Sequence, residues 1–236
     1  MMNWKKTISS KFPWIPSAKR NWVACRDNLL SGKGGSQCGE DKWILERCKQ
    51  LRIDYTSHRY IEVGANQPTQ SSNSWRLYRD GCKGLLVEPD PRCVTLLRRW
   101  RSRDVIVPAL AGEHSTCEIL SIHQHTTMNE IGGIGKQFIG QMLLPVVRVD
   151  DLIKTLSQND DSWKRILLLS VDTEGFDEYV LRGSVDTISK TQFVCVENWK
   201  DQEVVKRIND LIGSDFRPVH QTALNIVFER TPVICQ

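Results

Sequence analysis

Arg59-Tyr60-Ile61-Glu62-Val63-Gly64-Ala65-Asn66 is the stretch on which the reading of this chain turns. A short apolar run ends in a single glycine, the pattern of a strand that stops in a tight turn. Glu88 stands 24 residues after Gly64, at the end of a second apolar run, Gly84 to Glu88. An acid about 20 residues beyond such a glycine is the spacing that brings a carboxylate to a ribose diol in a nucleotide-binding β-α-β unit. Between the two runs, Ser71 to Asp80 reads as a helix ending at Gly81.

Outward from this unit the alternation continues. Pro91 to Arg101 reads as a helix and Asp104 to Ala111 as a third strand; upstream, Trp43, Ile44 and Cys48 mark a short amphipathic helix. Residues 115–145 break the pattern, with an edge strand over Cys117 to His123 and a glycine-containing loop over Ile131 to Gly140 beside the site mouth. Val146 to Val149 reads as a strand and Asp150 to Ser157 as a helix. Ile166 to Val171 is an unalternated apolar run, as expected of a strand covered on both faces, and it ends in Asp172. Phe193 to Glu197 is a second such strand, and Val204, Ile208, Leu211 and Ile212 share one face of the next helix. Phe216 to His220 and Asn225 to Glu229 close the chain as an antiparallel pair. Strands alternating with helices imply a mostly parallel α/β sheet with ligands at the strands' carboxyl ends, near the point where strand order reverses. Those ends carry Glu62, Gly64, Ala65, Asn66, Glu88, Pro89, Asp90, Ala109, Leu110, Ala111, Asp172 to Gly175, and Glu197-Asn198.

Composition narrows the classes. The 236 residues suffice for one α/β domain, and 40% hydrophobic with 25% charged residues is ordinary globular usage. No apolar run approaches the roughly 18 residues of a membrane span, so no transmembrane segment is expected. A net charge of +4 is too small to indicate a nucleic-acid partner. The eight cysteines form no C-x-x-C pair and no zinc-type spacing, and Cys195 lies inside an apolar run. With no apolar h-region after Met1, the chain reads as a soluble cytoplasmic protein with reduced thiols. Residues 1–35 stand apart as a basic arm in which Trp4, Trp14 and Trp22 alternate with Lys5, Lys6, Lys11, Lys19 and Arg20, ending in a glycine-rich linker; residues 36–236 form the domain. An irregular cover over the domain is the preferred reading of the arm over peripheral contact with an anionic surface.

The turn after Gly64 selects among adenosine cofactors. NAD needs several glycines so that the backbone can approach a pyrophosphate, and here Asn66, Gln67 and Pro68 occupy that turn. A ligand without a diphosphate fits better. S-adenosylmethionine is one, and Glu62 is placed to hold its ammonium group directly or through water. The competing reading has Glu62 and Glu88 merely capping local structure.

Four motifs in order resemble the FkbM family of methyltransferases, over most of the chain. Ser36-Gln37-Cys38-Gly39-Glu40-Asp41 is similar to its upstream S-Q-x-G-E-D segment, and Glu62 to Pro68 to its first cofactor motif. Ser72-Asn73-Ser74 with Leu77-Tyr78, then Val87-Glu88-Pro89-Asp90-Pro91, is similar to its S-N-T-x-x-L-Y and I-E-P-x-P pattern. Ser170 to Asp177 with Val180-Leu181 is similar to its I-D-x-E-G block. Pro68 stands where many relatives have glycine, and the first 30 residues match no part of the pattern. The resemblance implies a Rossmann-like class I methyltransferase fold, expected here as a mostly parallel seven-stranded sheet with a final antiparallel strand. It also implies methyl transfer from S-adenosylmethionine to a hydroxyl on a sugar, glycan or other natural product. Ser72 and Asn73 join the expected cofactor residues through it.

Methyl transfer is an in-line displacement, so the protein aligns the acceptor oxygen and removes its proton. Asp172 and Glu174, at the end of a buried strand, are the expected catalytic pair; the alternative for Glu174 is stabilisation of the following helix. Asp172 could bind a divalent cation, but no third carboxylate accompanies it and no metal is expected. His123, His125 and His220 read as structural. Two other readings stand beside the methyltransferase: a catalytically silent Rossmann-like module binding a partner through the arm, and a nucleotide-dependent oxidoreductase, which the missing glycines disfavour.

Overall fold

The computed structural model describes residues 23–28, 30–126, 129–132 and 138–231. Most of the basic arm, residues 1–22, lies outside these, as do Cys235 and residues 133–137 of the expected loop. Residues 23–28 and 30–31 are helical and precede α1 (Glu40–Leu51). Next come β1 (Arg59–Val63), α2 (Trp75–Arg79), β2 (Lys83–Val87), α3 (Pro91–Trp100) and β3 (Val105–Val107). Strands β4 (Leu110–Ala111), β5 (Thr116–His123), β6 (Glu130–Ile131) and β7 (Phe138–Val147) follow. The second half runs α4 (Val149–Ser157), β8 (Ile166–Val171), α5 (Asp177–Arg182), α6 (Val185–Ile188), β9 (Thr191–Glu197), α7 (Gln202–Ile212), β10 (Phe216–Gln221) and β11 (Asn225–Arg230).

One seven-stranded sheet has the order β10-β11-β9-β8-β1-β2-β3. Its strands are parallel except the last in the chain, β11, which runs against both β9 and β10. Alternate residues of each central strand enter two cores. Ile61, Val63, Leu169, Val171 and Val194 pack with Ile153, Val180 and Ile208 on one face, while Tyr60, Leu168, Phe193 and Cys195 meet Ile44, Cys48, Trp75 and Leu97 on the other. Burial on both faces explains why β8 is apolar at every position but Ser170. Among the described residues no helix is long and apolar enough to cross a membrane.

Three expectations need correction. The helix expected from Ser71 begins only at Trp75, because residues 71–74 form a turn wrapped on the Glu62 carboxylate. The strand expected over Asp104 to Ala111 is cut at Pro108, which has no N–H to continue a ladder. Leu110–Ala111 therefore leave the main sheet for a second one, of order β4-β7-β5-β6. The short strand at Val146 is the end of the ten-residue β7, whose first residues fall in the segment read as loop. Its outer positions lack a burial pattern to reveal it: Ile139 and Leu143 are 48% and 70% exposed. The glycine-rich 31–36 segment is tied to the domain, with Gly35 N–H donating to Thr69 O (2.9 Å) and Trp75 Nε1 to Lys33 O (3.0 Å).

A buried polar network joins α3 to β1 and the 71–74 turn. Glu62 accepts from Ser72 Oγ (2.9 Å), Asn73 N–H (2.8 Å) and Ser74 Oγ. Arg101, wholly buried, pairs with Asp104 (2.8 Å) and donates to Ser74 Oγ (2.7 Å), Tyr60 Oη (3.0 Å) and Pro68 O (3.0 Å). Removing one member of such a set strands the others without solvent. Arg101→Ala should cost about 3–5 kcal/mol in urea unfolding; a loss within experimental error of zero would show that the network contributes nothing to stability.

Candidate active site

Strand order reverses between β1 and β8, and the crevice at their carboxyl ends is where an open α/β sheet binds ligands. The two ends are drawn together closely. Gly64, at φ 79°, donates its N–H to Val87 O (3.0 Å), and a Cβ placed on it would lie 1.8 Å from the Asp172 carbonyl oxygen. Only glycine serves there. A cavity of about 310 Å³ opens beside it, bounded by the ends of β1, β2 and β8, by Ala109 to Ala111, and by Leu120, Thr126, Asn129, Glu130 and Ile131 from the second sheet and its connection.

On one side the cavity wall is built around Glu88. Its Oε2 accepts from Asn66 N–H (2.7 Å) and its Oε1 from Asp90 N–H (2.8 Å), which fixes the carboxylate while leaving lone pairs for a ligand. Burial pushes its pKa up to about 7, against the opposing pull of those two N–H groups. Pro89, Ala109, Leu110, Leu120 and Ile131 add apolar surface beside it.

Asp172, Glu174 and Phe176 form the opposite side. Burial, reinforced by Asp177, Glu174 and Glu197, pushes Asp172 up to about 7. Glu197, at the end of β9, is likewise raised to about 7 by burial and by Asp177, and its Oε2 is buried without a hydrogen-bond partner. Asp177 is held inward by Thr173 N–H (2.9 Å) and Thr173 Oγ1 (2.6 Å). Glu174 is exposed, and the turn from β8 to α5 takes it through φ 53°, a left-handed conformation uncommon outside glycine. Among the described residues the cavity is lined by four carboxylates, Glu88, Glu130, Asp172 and Glu174, and by no Lys, Arg or His. That donor set suits a cationic ligand such as a sulfonium and is unsuited to a diphosphate.

Gly64, Asn66, Glu88, Pro89, Ala109, Leu110, Asp172 and Glu174 thus meet at one cavity, as the strand-end reading expects. Five other expected residues do not line it. Glu62 faces inward, its oxygens taken by the 71–74 turn, so the ammonium-binding role does not fit its position; Ser72 and Asn73 are its partners. Ala65 packs in the core with Trp75. Asp90 caps α3 through Arg92 N–H (2.8 Å) and pairs with the Arg92 guanidinium. His123 and His125 stack on each other away from the cavity lining, and His220 stacks on Trp43 at 4.9 Å.

Gln37, Ser71, Thr126 and Asn129 line the cavity without having been expected there. Gln37 carried a signal, since it lies within the S-Q-x-G-E-D motif. The acids of that motif are buried anchors: Glu40 accepts from Thr222 Oγ1 (2.8 Å) and Asn225 Nδ2 (3.0 Å), and Asp41 from Ser36 Oγ (2.9 Å). Thr126 and Asn129 gave none, because they arrive from a segment without periodicity. No group of three or more His, Cys, Asp or Glu among the described residues has an arrangement suited to a metal ion.

Comparison with known proteins gives a family. The family model described as the methyltransferase FkbM domain matches residues 62–221, more than half of the chain. No match was found among the curated proteins. Among solved structures, the chain is similar to a TehB-like SAM-dependent methyltransferase from Corynebacterium glutamicum, with 11% identity and a TM-score of 0.44, over 92% of this chain and 100% of that one. It is also similar to the bifunctional kinase-methyltransferase WbdD, at 11% identity and a TM-score of 0.41, over 81% of this chain and 37% of that one. Scores this low add nothing further, and the assignment rests on the family match. With the Gly64 turn, the Glu88 wall and the Asp172 side all falling inside the matched residues, the chain belongs to the FkbM methyltransferase family and is an S-adenosylmethionine-dependent methyltransferase.

Proposed function

We propose that this protein methylates a hydroxyl oxygen of a sugar, glycan or related natural product. The observation that carries the proposal is Asp172, a carboxylate on the cavity wall with a pKa raised to about 7, in a cavity that no basic side chain lines among the described residues. S-adenosylmethionine, when bound, supplies an electrophilic methyl group on a cationic sulfur. Glu88 would hold its ribose hydroxyls, and the carboxylate-rich lining would favour its positive charge.

What remains for the chain is to orient a weakly acidic hydroxyl and accept its proton. A carboxylate with a pKa near 7 is a stronger base than an ordinary one and is still half ionised at neutral pH. Asp172 takes that role, and Glu174, two residues on, orients the acceptor. Phe176 lines the same side and Tyr179, 53% exposed, packs on it with ring centroids 5.8 Å apart. Aromatic faces beside carboxylates suit a ligand with an apolar ring face and several hydroxyls.

Asp172→Asn should leave affinity for S-adenosylhomocysteine within roughly a factor of two while lowering turnover on a panel of sugar acceptors about 100-fold, the usual worth of a general base; Glu174→Gln should act in the same direction, and two fully active variants would remove the pair from catalysis. Wild-type turnover should rise with pH through about 7 as Asp172 loses its proton, and the rise should be absent from Asp172→Asn.

Because folding raises this pKa, the unfolded chain releases the proton near pH 4 and the folded one near 7, so the group's contribution to stability falls as pH rises across that window. Asp172→Asn should therefore raise the melting temperature at pH 8, a change in pKa from about 4 to about 7 being worth up to about 4 kcal/mol, and leave it nearly unchanged at pH 4. Glu88→Ala should weaken calorimetric binding of S-adenosylhomocysteine by at least about tenfold, as expected for hydrogen bonds to a charged group; an unchanged affinity would take Glu88 out of the ribose site.

A further inference from the structure

Asn66 carries the turn after β1 at φ 44°, a region in which asparagine usually steadies itself by hydrogen-bonding its own neighbours. Here its side chain reaches across the cavity wall instead. Asn66 Oδ1 accepts from Thr126 Oγ1 at 2.9 Å and from Cys93 Sγ at 3.3 Å, while its backbone N–H points at Glu88 Oε2. Thr126 lies 60 residues further along the chain, beyond the end of β5, and so belongs to the second sheet's part of the chain.

That part is itself fastened to the loop after β2. Arg92 donates to the main-chain oxygens of His123 (2.8 Å) and Gln124 (3.2 Å). On the far side, Asn129 donates from Nδ2 to Asp90 Oδ2 (2.8 Å) and accepts at Oδ1 from His123 N–H (2.7 Å). Asp90 is wholly buried and ion-paired with Arg92, so both fastenings rest on one fixed point two residues from Glu88. Thr126 is thus held against Asn66 by contacts on either side of it.

We propose that Thr126 is a positioning residue for the cofactor: by holding the Asn66 carboxamide it fixes the left-handed turn whose N–H sets the Glu88 carboxylate. The second sheet then governs cofactor affinity through this contact, although the ribose-binding acid belongs to the main sheet. The inference rests on the assignment of Glu88 to the cofactor. Valine at position 126 keeps the shape and removes the donor, leaving Asn66 Oδ1 with the weak S–H donor of Cys93 alone. Serine keeps the donor and loses only a methyl group.

Calorimetric titration of the wild-type, Thr126→Val and Thr126→Ser proteins with S-adenosylhomocysteine tests this. Thr126→Val should bind about fivefold more weakly, the worth of one neutral hydrogen bond, with a melting temperature in the absence of ligand lowered by no more than about 2–4 °C. Thr126→Ser should restore wild-type affinity, which a loss of packing alone would not do. Asn129→Ala, which releases the other side of the segment, should weaken binding in the same direction and gives a second measurement should the valine variant fold poorly. Wild-type binding matched by Thr126→Val and Asn129→Ala overturns the role of Thr126 and leaves the cofactor assignment standing; a wild-type protein that does not bind S-adenosylhomocysteine overturns that assignment and the proposal with it.

Discussion

The approach of the Gly64 backbone to the carbonyl oxygen of Asp172 is the constraint around which the site is built. A side chain at Gly64 would occupy the space of that oxygen, so β1 and β8 can end this close together only with glycine there. Their proximity sets the Glu88 and Asp172 sides on one cavity, because each side hangs from the end of a strand next to the reversal of strand order. Glu62, two residues before the glycine, ties the end of β1 to residues 72–74, the turn that leads into α2.

Acids divide into two kinds in this structure. Glu40, Asp41, Glu62 and Asp104 are buried structural groups whose oxygens are taken by hydrogen bonds or by Arg76 and Arg101. Glu88, Asp172 and Glu197 are raised to about 7 mainly by burial, and the Arg92 guanidinium near Glu88 is ion-paired with Asp90. Burial raises Asp41, Glu62 and Asp104 as well, but their oxygens are occupied, whereas an acid raised to about 7 on the cavity wall is free to act as a base or an acceptor.

The second sheet changes how the fold should be viewed. Its apolar residues Leu120 and Ile131 face the cavity together with Thr126 and Asn129, so the ligand space lies between two sheets and is not simply a crevice at the edge of one. The break at Pro108 makes this possible, since it diverts Leu110 and Ala111 out of the main sheet and into pairing with β7.

Periodicity and spacing in the sequence determined the order of the main-sheet elements, the glycine turn, the acid ending β2 and the acid after β8. Each of these is local: an apolar run long enough to be a strand, a residue that alone tolerates a left-handed turn, a polar residue at a strand end. The tertiary structure alone decided which of the strand-end residues share a cavity. Glu62 and Glu88 look alike in sequence, each closing or nearly closing a strand, but successive side chains of a strand point to opposite faces, and the turn that follows Glu62 folds back onto it. Thr126 and Asn129 were invisible for a related reason: their place depends on hydrogen bonds to Asn66 and Asp90, partners 60 and 39 residues away, and no local pattern records a contact over that distance.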